Sequence, residues 1–205
     1  MAKKFHYFDI NGLGESIRYI LHYGKQKFED VRYDSNSCFR LKKIIKIALP
    51  YGQLPLYEEG GRSLNQSLAI ARYLASQHNL LPAEPWEQAV LDAVVYTIYD
   101  FWSKVVPYIY EKDSVKKEAI KKEILNDVVE FFYSRFEKEL KAKKGFFGGQ
   151  LSWADFIFVA ITEAANLQLG VEIQKKYPTV EALIQKVRTL PGVKEYIATR
   201  KPYKV

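Results

Sequence analysis

The spacing of apolar positions changes character part-way along the chain. In KFHYFDI (4–10) apolar and polar side chains alternate, the period-2 signature of a half-buried strand. NGLG (11–14) predicts a tight turn. ESIRYILHYG (15–24) predicts a short helix with Ile17, Ile20 and Leu21 inward and Gly24 at its end. FEDVRY (28–33) reads as a second strand, whereas residues 35–49 carry no clean period and read as an irregular helical segment. Pro55–Glu59 and Arg62–Leu64 are expected to pair as a hairpin across Gly60-Gly61. Ser67–Gln77 follows as a helix with Ala69, Ile70, Tyr73 and Leu74 on its buried side.

This order over residues 1–78, strand–helix–strand and then strand–strand–helix, is a thioredoxin-like α/β pattern. NLLPAEP (79–85), with Pro82 and Pro85, reads as a linker. Beyond it the period is helical throughout. Trp86, Val90, Ala93, Thr97, Phe101 and Val105 form one stripe, and Ile120, Ile124, Val128, Phe131, Phe136 and Leu140 a second. LSWADFIFVAITEAANL (151–167) opens with a Ser152–Asp155 capping box, which marks Asp155 as structural. Two shorter helices complete the chain, the second with Pro191 in its first turn. The expected architecture is an α/β thioredoxin-like domain (1–78), a linker (79–85) and an all-α helical domain (86–205), without repeats or low-complexity segments.

Bulk numbers narrow the function classes. The 205 residues suffice for a sizeable core, and 48% hydrophobic with 27% charged residues is ordinary for a globular protein. The longest apolar stretch, AVVYTIYDFWSKVVPYIY, is broken by Asp100, Lys104 and Pro107 and does not read as a membrane span. The N-terminus has no apolar run of signal length, and the single cysteine, Cys38, permits no internal disulfide, so the expected compartment is the cytoplasm. A net charge of +7 raises the question of nucleic acid. In VKKEAIKKEIL, however, glutamates alternate with the lysines, the pattern of a solvated helix face, so no nucleic-acid partner is expected.

Candidate chemistry gathers around residues 53–67. Asn65-Gln66-Ser67 stands where a strand ends and a helix begins, where unpaired N–H groups and the positive end of the helix dipole favour a carboxylate. The competing reading is a plain N-cap worth about 1 kcal/mol. Leu54-Pro55, just before the hairpin, is a candidate cis bond that would turn the Leu54 backbone outward to pair with a peptide. The two features together describe a slot for a short extended peptide whose carboxylate meets the helix end.

Tyr7, Phe8, Glu15, Ile17 and Arg18, with GQLP (52–55), NQSLAIARYL (65–74) and LSWADF (151–156), resemble the cytosolic glutathione transferases. The resemblance is strongest to the sigma class, with its insect members and glutathione-dependent prostaglandin D synthases. It implies a homodimeric enzyme with glutathione as co-substrate and Tyr7 as the catalytic residue. A free thiol titrates near pH 8.5 and a phenol near 10, roughly, so near neutrality the tyrosine remains a donor while the sulfur can become thiolate. The resemblance also implies that Gln66 and Ser67 hold the γ-glutamyl end and Leu54 and Pro55 the cysteinyl backbone, with Gln53 assisting. Asp100 matches the acid that family dimers extend to the neighbouring subunit's glutathione.

The chain departs from the family in places. A tryptophan and a lysine normally hold the glycine carboxylate; here the counterparts are Phe39, which has no N–H to donate, and Lys46, with Lys42 or Lys43 as substitutes. An arginine that some sigma members carry near the thiol is replaced by Leu13, so Tyr7 is the main activating side chain unless a backbone N–H helps. At the positions where prostaglandin synthases bind a divalent cation stand Tyr96, Tyr99 and Asp100, and one carboxylate predicts no metal. Cys38 has no base beside it in sequence and is read as an inert thiol. The family position of the hydrophobic electrophile pocket, between the domains, selects Phe8, Leu13, Trp102, Val106, Ile161 and Val205. The expected reaction joins glutathione sulfur to small hydrophobic electrophiles, in peroxide or aldehyde detoxification among others. Two alternatives stay open: a prostaglandin-type isomerase, and a ligandin- or crystallin-like binding protein without chemistry.

Overall fold

The computed structural model of the protein describes residues 3–34 and 51–203. Its contacts gather into two compact units, Met1–Leu80 with Thr189–Lys204, and Leu81–Arg188.

In the first unit, strand β1 (Lys3–Phe8) buries Phe5 and Tyr7 while its other side chains are half-buried, as the alternation predicts. It pairs in parallel with β2 (Phe28–Tyr33) and antiparallel with β3 (Leu56–Glu59), and β3 pairs antiparallel with β4 (Arg62–Asn65). The sheet order is β2-β1-β3-β4, so Tyr7 lies on an interior strand, opposite Arg32. Gly60 and Gly61 turn the hairpin with φ of 60° and 79°, the double positive φ that its two-residue turn requires. Helix α1 (Glu15–Tyr23) fully buries Ile17, Ile20 and Leu21 and packs against α2 (Ser67–Ser76). This is the expected thioredoxin-like arrangement.

Helix α2 is rotated from its predicted face. It buries Ile70, Ala71, Leu74 and Ala75, while Ala69 is exposed. Tyr73 is only half-buried, because its hydroxyl reaches out to donate to the Glu59 carboxylate at 2.7 Å.

The second unit holds α3 (Pro85–Tyr110), α4 (Ser114–Glu123), α5 (Val129–Ala142), α6 (Trp153–Leu169) and α7 (Pro178–Arg188). Helix α3 turns Leu91, Val94, Val95, Ile98, Phe101, Trp102 and Val105 inward and packs on α6. Trp86 is 71% exposed and Ala93 and Thr97 are exposed, so the predicted stripe has its C-terminal half right and its N-terminal half wrong. With apolar residues on nearly every side of AVVYTIYDFW, several stripes fit the sequence equally, and packing on α6 selects among them. A π-helical turn (Ile124–Val128) joins α4 to α5 and shifts the buried face by its extra residue. Val129, Tyr133, Phe136 and Leu140 are therefore buried, whereas Phe131, expected inside, is 54% exposed under the Arg135 guanidinium.

The last helix, α8 (Val193–Thr199), follows the helical unit in sequence yet belongs by its contacts to the first. Chain order had placed it with residues 86–205. Tyr196 stacks on His22 of α1, ring centroids 4.3 Å apart, and meets Tyr19 edge-on. Gly192, at φ 85°, lets the turn before α8 touch α1: a Cβ there would lie 2.1 Å from the His22 carbonyl oxygen. Gly192→Ala combines this overlap with a left-handed backbone. We expect it to cost about 2–3 kcal/mol, read as a lower urea midpoint at unchanged slope.

Candidate functional site

Tyr7 ends the buried half of β1 with its side chain 6% exposed. The NGLG turn wraps its ring. Asn11 starts a 3-10 turn (Gly12–Gly14) by accepting from the Gly12 N–H at 2.8 Å. A Cβ on Gly12 would lie 2.9 Å from the Tyr7 hydroxyl oxygen, and one on Gly14 would lie 2.2 Å from Cδ1 of its ring. Both glycines therefore make room for the phenol. Between them the Leu13 N–H donates to the Tyr7 hydroxyl oxygen at 3.2 Å. A donor into that oxygen polarises the O–H bond and strengthens it as a donor towards an anion. Leu13 thus reaches the phenol through its backbone, at the position where the family's arginine is missing.

Arg18, part of the recognised motif but given no role in the sequence reading, lies beneath this turn. Its guanidinium is fully buried, 5.8 Å from the Tyr7 ring centroid and 5.4 Å from that of Phe5. It donates to the carbonyls of Phe8 (3.2 Å) and Ile10 (2.8 Å) and to the Asp30 carboxylate (3.0 Å). Burial opposes its charge, but the facing Tyr203, Asp30, Glu15 and Tyr196 outweigh that and hold its pKa above the ordinary arginine value. The available signal is a cation next to Ile17 and one turn before Leu21, in a helix whose other inward residues are apolar.

The second part of the site lies at β3, β4 and α2. The Leu54–Pro55 bond is cis. Gln53 is exposed, Leu54 half-buried and Pro55 buried. Asn65, nearly buried at the end of β4, donates through Nδ2 to the carbonyls of Gln53 (3.2 Å) and Pro55 (3.4 Å). Its side chain thus ties down the 53–55 loop and does not cap α2. Gln66 takes a positive φ of 73°, a conformation that is strained for a residue with a side chain. It is exposed, and Ser67 behind it is buried. Gln66 makes no side-chain cap on α2. By contrast Glu84 and Asp113 cap α3 and α4 by accepting first-turn N–H groups. Among the described residues no side chain caps this end of α2, which fits a carboxylate.

The other candidates fall as follows. Phe8 and Leu13 are half-buried beside Tyr7 in sequence; Trp102 and Ile161 are buried, and Val106 half-buried, in the second unit. Asp100 is exposed on α3, as are Tyr96 and Tyr99. Among the described residues no group of three or more His, Cys, Asp or Glu could hold a metal ion. Phe39, Lys46, Val205, and with them Cys38, Lys42 and Lys43, lie outside the described residues.

Residues 3–76 match the family model for the glutathione S-transferase N-terminal domain, and residues 99–200 that for the C-terminal domain. A glutathione S-transferase of Anopheles gambiae is 34% identical over 198 residues, covering 96% of either chain. Hematopoietic prostaglandin D synthase of Gallus gallus is likewise 34% identical, over 197 residues and 96% of each chain. Among solved structures, prostaglandin synthase D of Nilaparvata lugens superposes with a TM-score of 0.91 at 34% identity, over 98% of this chain and all of the other.

Proposed function

Because this chain belongs to the glutathione S-transferase family and is a glutathione transferase, we propose that Tyr7 is the side chain that activates glutathione and that the chain is a sigma-class homodimer. Glutathione supplies the sulfur that bonds to the electrophile. The observation that carries the reading of Tyr7 is its hydroxyl, fed by the Leu13 amide and framed by Gly12 and Gly14. Tyr7 donates to the sulfur and stabilises its negative charge, lowering the thiol pKa. The open α2 end, with Ser67, receives the γ-glutamyl carboxylate, and the Leu54 backbone on the Asn65-braced loop holds the cysteinyl unit. Lys46 and Phe39 are assigned to the glycine end, and Asp100 of each protomer to the other's glutathione amine. Phe8, Leu13, Trp102, Val106, Ile161 and Val205 are assigned to small hydrophobic electrophiles. The proposed setting is detoxification in the cytoplasm.

Ultraviolet titration of bound glutathione tests this reading, since the thiolate absorbs and the thiol does not. A bound thiol titrating about one to two units below its free value is expected, at about 1.36 kcal/mol per unit. A bound thiol with its free pKa would overturn it. The same measurement separates the enzyme from a binding protein without chemistry.

Similarity to named prostaglandin D synthases favours one second reading, isomerisation of a prostaglandin-like endoperoxide with the same activated sulfur. Product analysis after incubation with the endoperoxide decides it. Absence of isomerised product rejects it.

Gln66 supplies a further test. Gln66→Gly removes the strain of φ 73° at some cost in chain entropy, so stability should rise by about 1 kcal/mol, or roughly 2–4 °C in Tm. The Michaelis constant for glutathione should rise at the same time, because the loosened backbone no longer presents the open end of α2. A gain in Tm with unchanged glutathione affinity would leave Gln66 without a binding role.

A further inference from the structure

The Tyr7 turn rests on a cluster of charges, buried at Glu15 and Arg18 and opening to solvent at Asp9, whose last members come from the C-terminal residues. Glu15 and Arg18 are fully buried and 3.4 Å apart. Oε2 of Glu15 accepts from the hydroxyls of Tyr203 (2.6 Å) and Tyr196 (3.1 Å), and its Oε1 lies 3.2 Å from the Arg200 guanidinium. The two phenol oxygens are 3.0 Å apart. Asp30 bridges Arg18 and Arg32, and Arg32 also holds Asp9 at 2.9 Å. Three arginines therefore face three carboxylates, with the two phenols between them.

Charge balance explains how such a cluster tolerates burial, but apolar packing could supply stability as well. What apolar packing cannot supply is the aim of the cluster. Arg18 spends two donors on the carbonyls of Phe8 and Ile10, the backbone that leads from Tyr7 into the NGLG turn. That turn carries the Leu13 N–H to the Tyr7 hydroxyl. Glu15 and Asp30 orient Arg18, and Tyr203 donates to Glu15 at 2.6 Å.

We propose that Tyr203 is a positioning residue for catalysis: its hydroxyl holds Glu15, Glu15 and Asp30 hold Arg18, and Arg18 sets the turn that places the Tyr7 hydroxyl against sulfur. The proposal rests on the reading of Tyr7. It makes residues 196–203 part of the catalytic apparatus of a domain that they follow at a distance in sequence. Both phenols stay protonated through the working range, burial and the Glu15 charge raising them above the ordinary tyrosine value.

The test is a double-mutant cycle on the bound-glutathione titration, using wild type, Tyr203→Phe, Tyr7→Phe and the double variant. Tyr203→Phe should raise the bound thiol pKa by about half a unit to one unit, the effect of one hydrogen bond, and lower kcat/KM near pH 6.5 roughly three- to tenfold. The loss should fade at high pH, where sulfur ionises unaided. In the Tyr7→Phe background the same change should leave the thiol pKa where it is, because there is no hydroxyl left to position. A Tyr203→Phe variant with a lower Tm but a wild-type thiol pKa overturns the positioning role and leaves Tyr7 untouched. A Tyr7→Phe variant that titrates like wild type overturns the reading of Tyr7, and this proposal with it.

Discussion

Tyr7→Phe is expected to lose roughly ten- to a hundredfold in kcat/KM at neutral pH while keeping its fold, the loss of one hydrogen bond to a charged atom at about 1.5–3 kcal/mol. The ring would remain where it is, stacked near Phe5 at 6.2 Å and edge-on to Phe8 at 5.7 Å, with Gly12 and Gly14 leaving it the same space. Only the hydroxyl disappears, and with it the proposed donor to sulfur. The bound thiol should then titrate about one to two units higher, and the rate deficit should shrink as pH rises past that new value. Steady-state rates with a nitroaromatic or hydroxyalkenal acceptor across pH 6–9 measure both. Unchanged turnover at pH 6.5 would assign activation to another donor, the Leu13 amide being the nearest candidate.

The second large effect is on stability. Asp155 is fully buried, and its carboxylate accepts from the Ser152 N–H (2.7 Å), the Ser152 hydroxyl (2.8 Å) and the Phe147 N–H (3.0 Å). It starts α6 and also fastens the loop that leads into it. Asp155→Ala would strand two backbone donors and a cap, which together are worth about 3–5 kcal/mol. A urea midpoint within 1 kcal/mol of wild type, on the scale of one ordinary surface change, would contradict this account.

Burial also pushes the Asp155 carboxyl up to about 6, while the N–H of Phe147 and the hydroxyl and N–H of Ser152 pull it down. The folded protein therefore holds a proton that the unfolded chain releases from its ordinary value near 4 upward, roughly. Unfolding releases that proton between about pH 4 and 6, so the Asp155 contribution to stability falls as pH rises through that window. Below the window the contribution is at its largest; above it the contribution is constant. Glu59 and Glu137, held below their ordinary value against burial by their hydrogen-bond partners, act in the opposite sense. Subtracting the stability profile of Asp155→Asn from that of wild type isolates the Asp155 slope, which should be negative with pH.

Much of the candidate site was legible because it is local in sequence. Tyr7, the NGLG turn, Leu54-Pro55 and Gln66-Ser67 each sit at a junction between elements, where period changes and turn residues are conspicuous. The roles of Arg18 and Asn65 are not legible from their neighbours, because their side chains reach backbone carbonyls 8 to 12 positions away in the chain. An asparagine at a strand end reads as a cap from its neighbours; only the hairpin brings Gln53 and Pro55 within its reach. The Tyr203–Glu15 bond spans 188 residues, a separation that periodicity carries no information about.

Residue order along the chain is enough to specify the local elements: the alternation of β1, the Gly60-Gly61 hairpin, the Ser152–Asp155 box and the switch to helical period after residue 85. Each depends on neighbours within a few positions, where backbone sterics and hydrogen-bonding reach are encoded by residue type. Packing was needed to settle which face of α2 and α3 is buried, how the π turn rephases Phe131, and that α8 joins the first unit. Those outcomes turn on burial against partners distant in the chain. Where apolar residues cover more than one face of a helix, only contact with the opposing surface lifts the degeneracy.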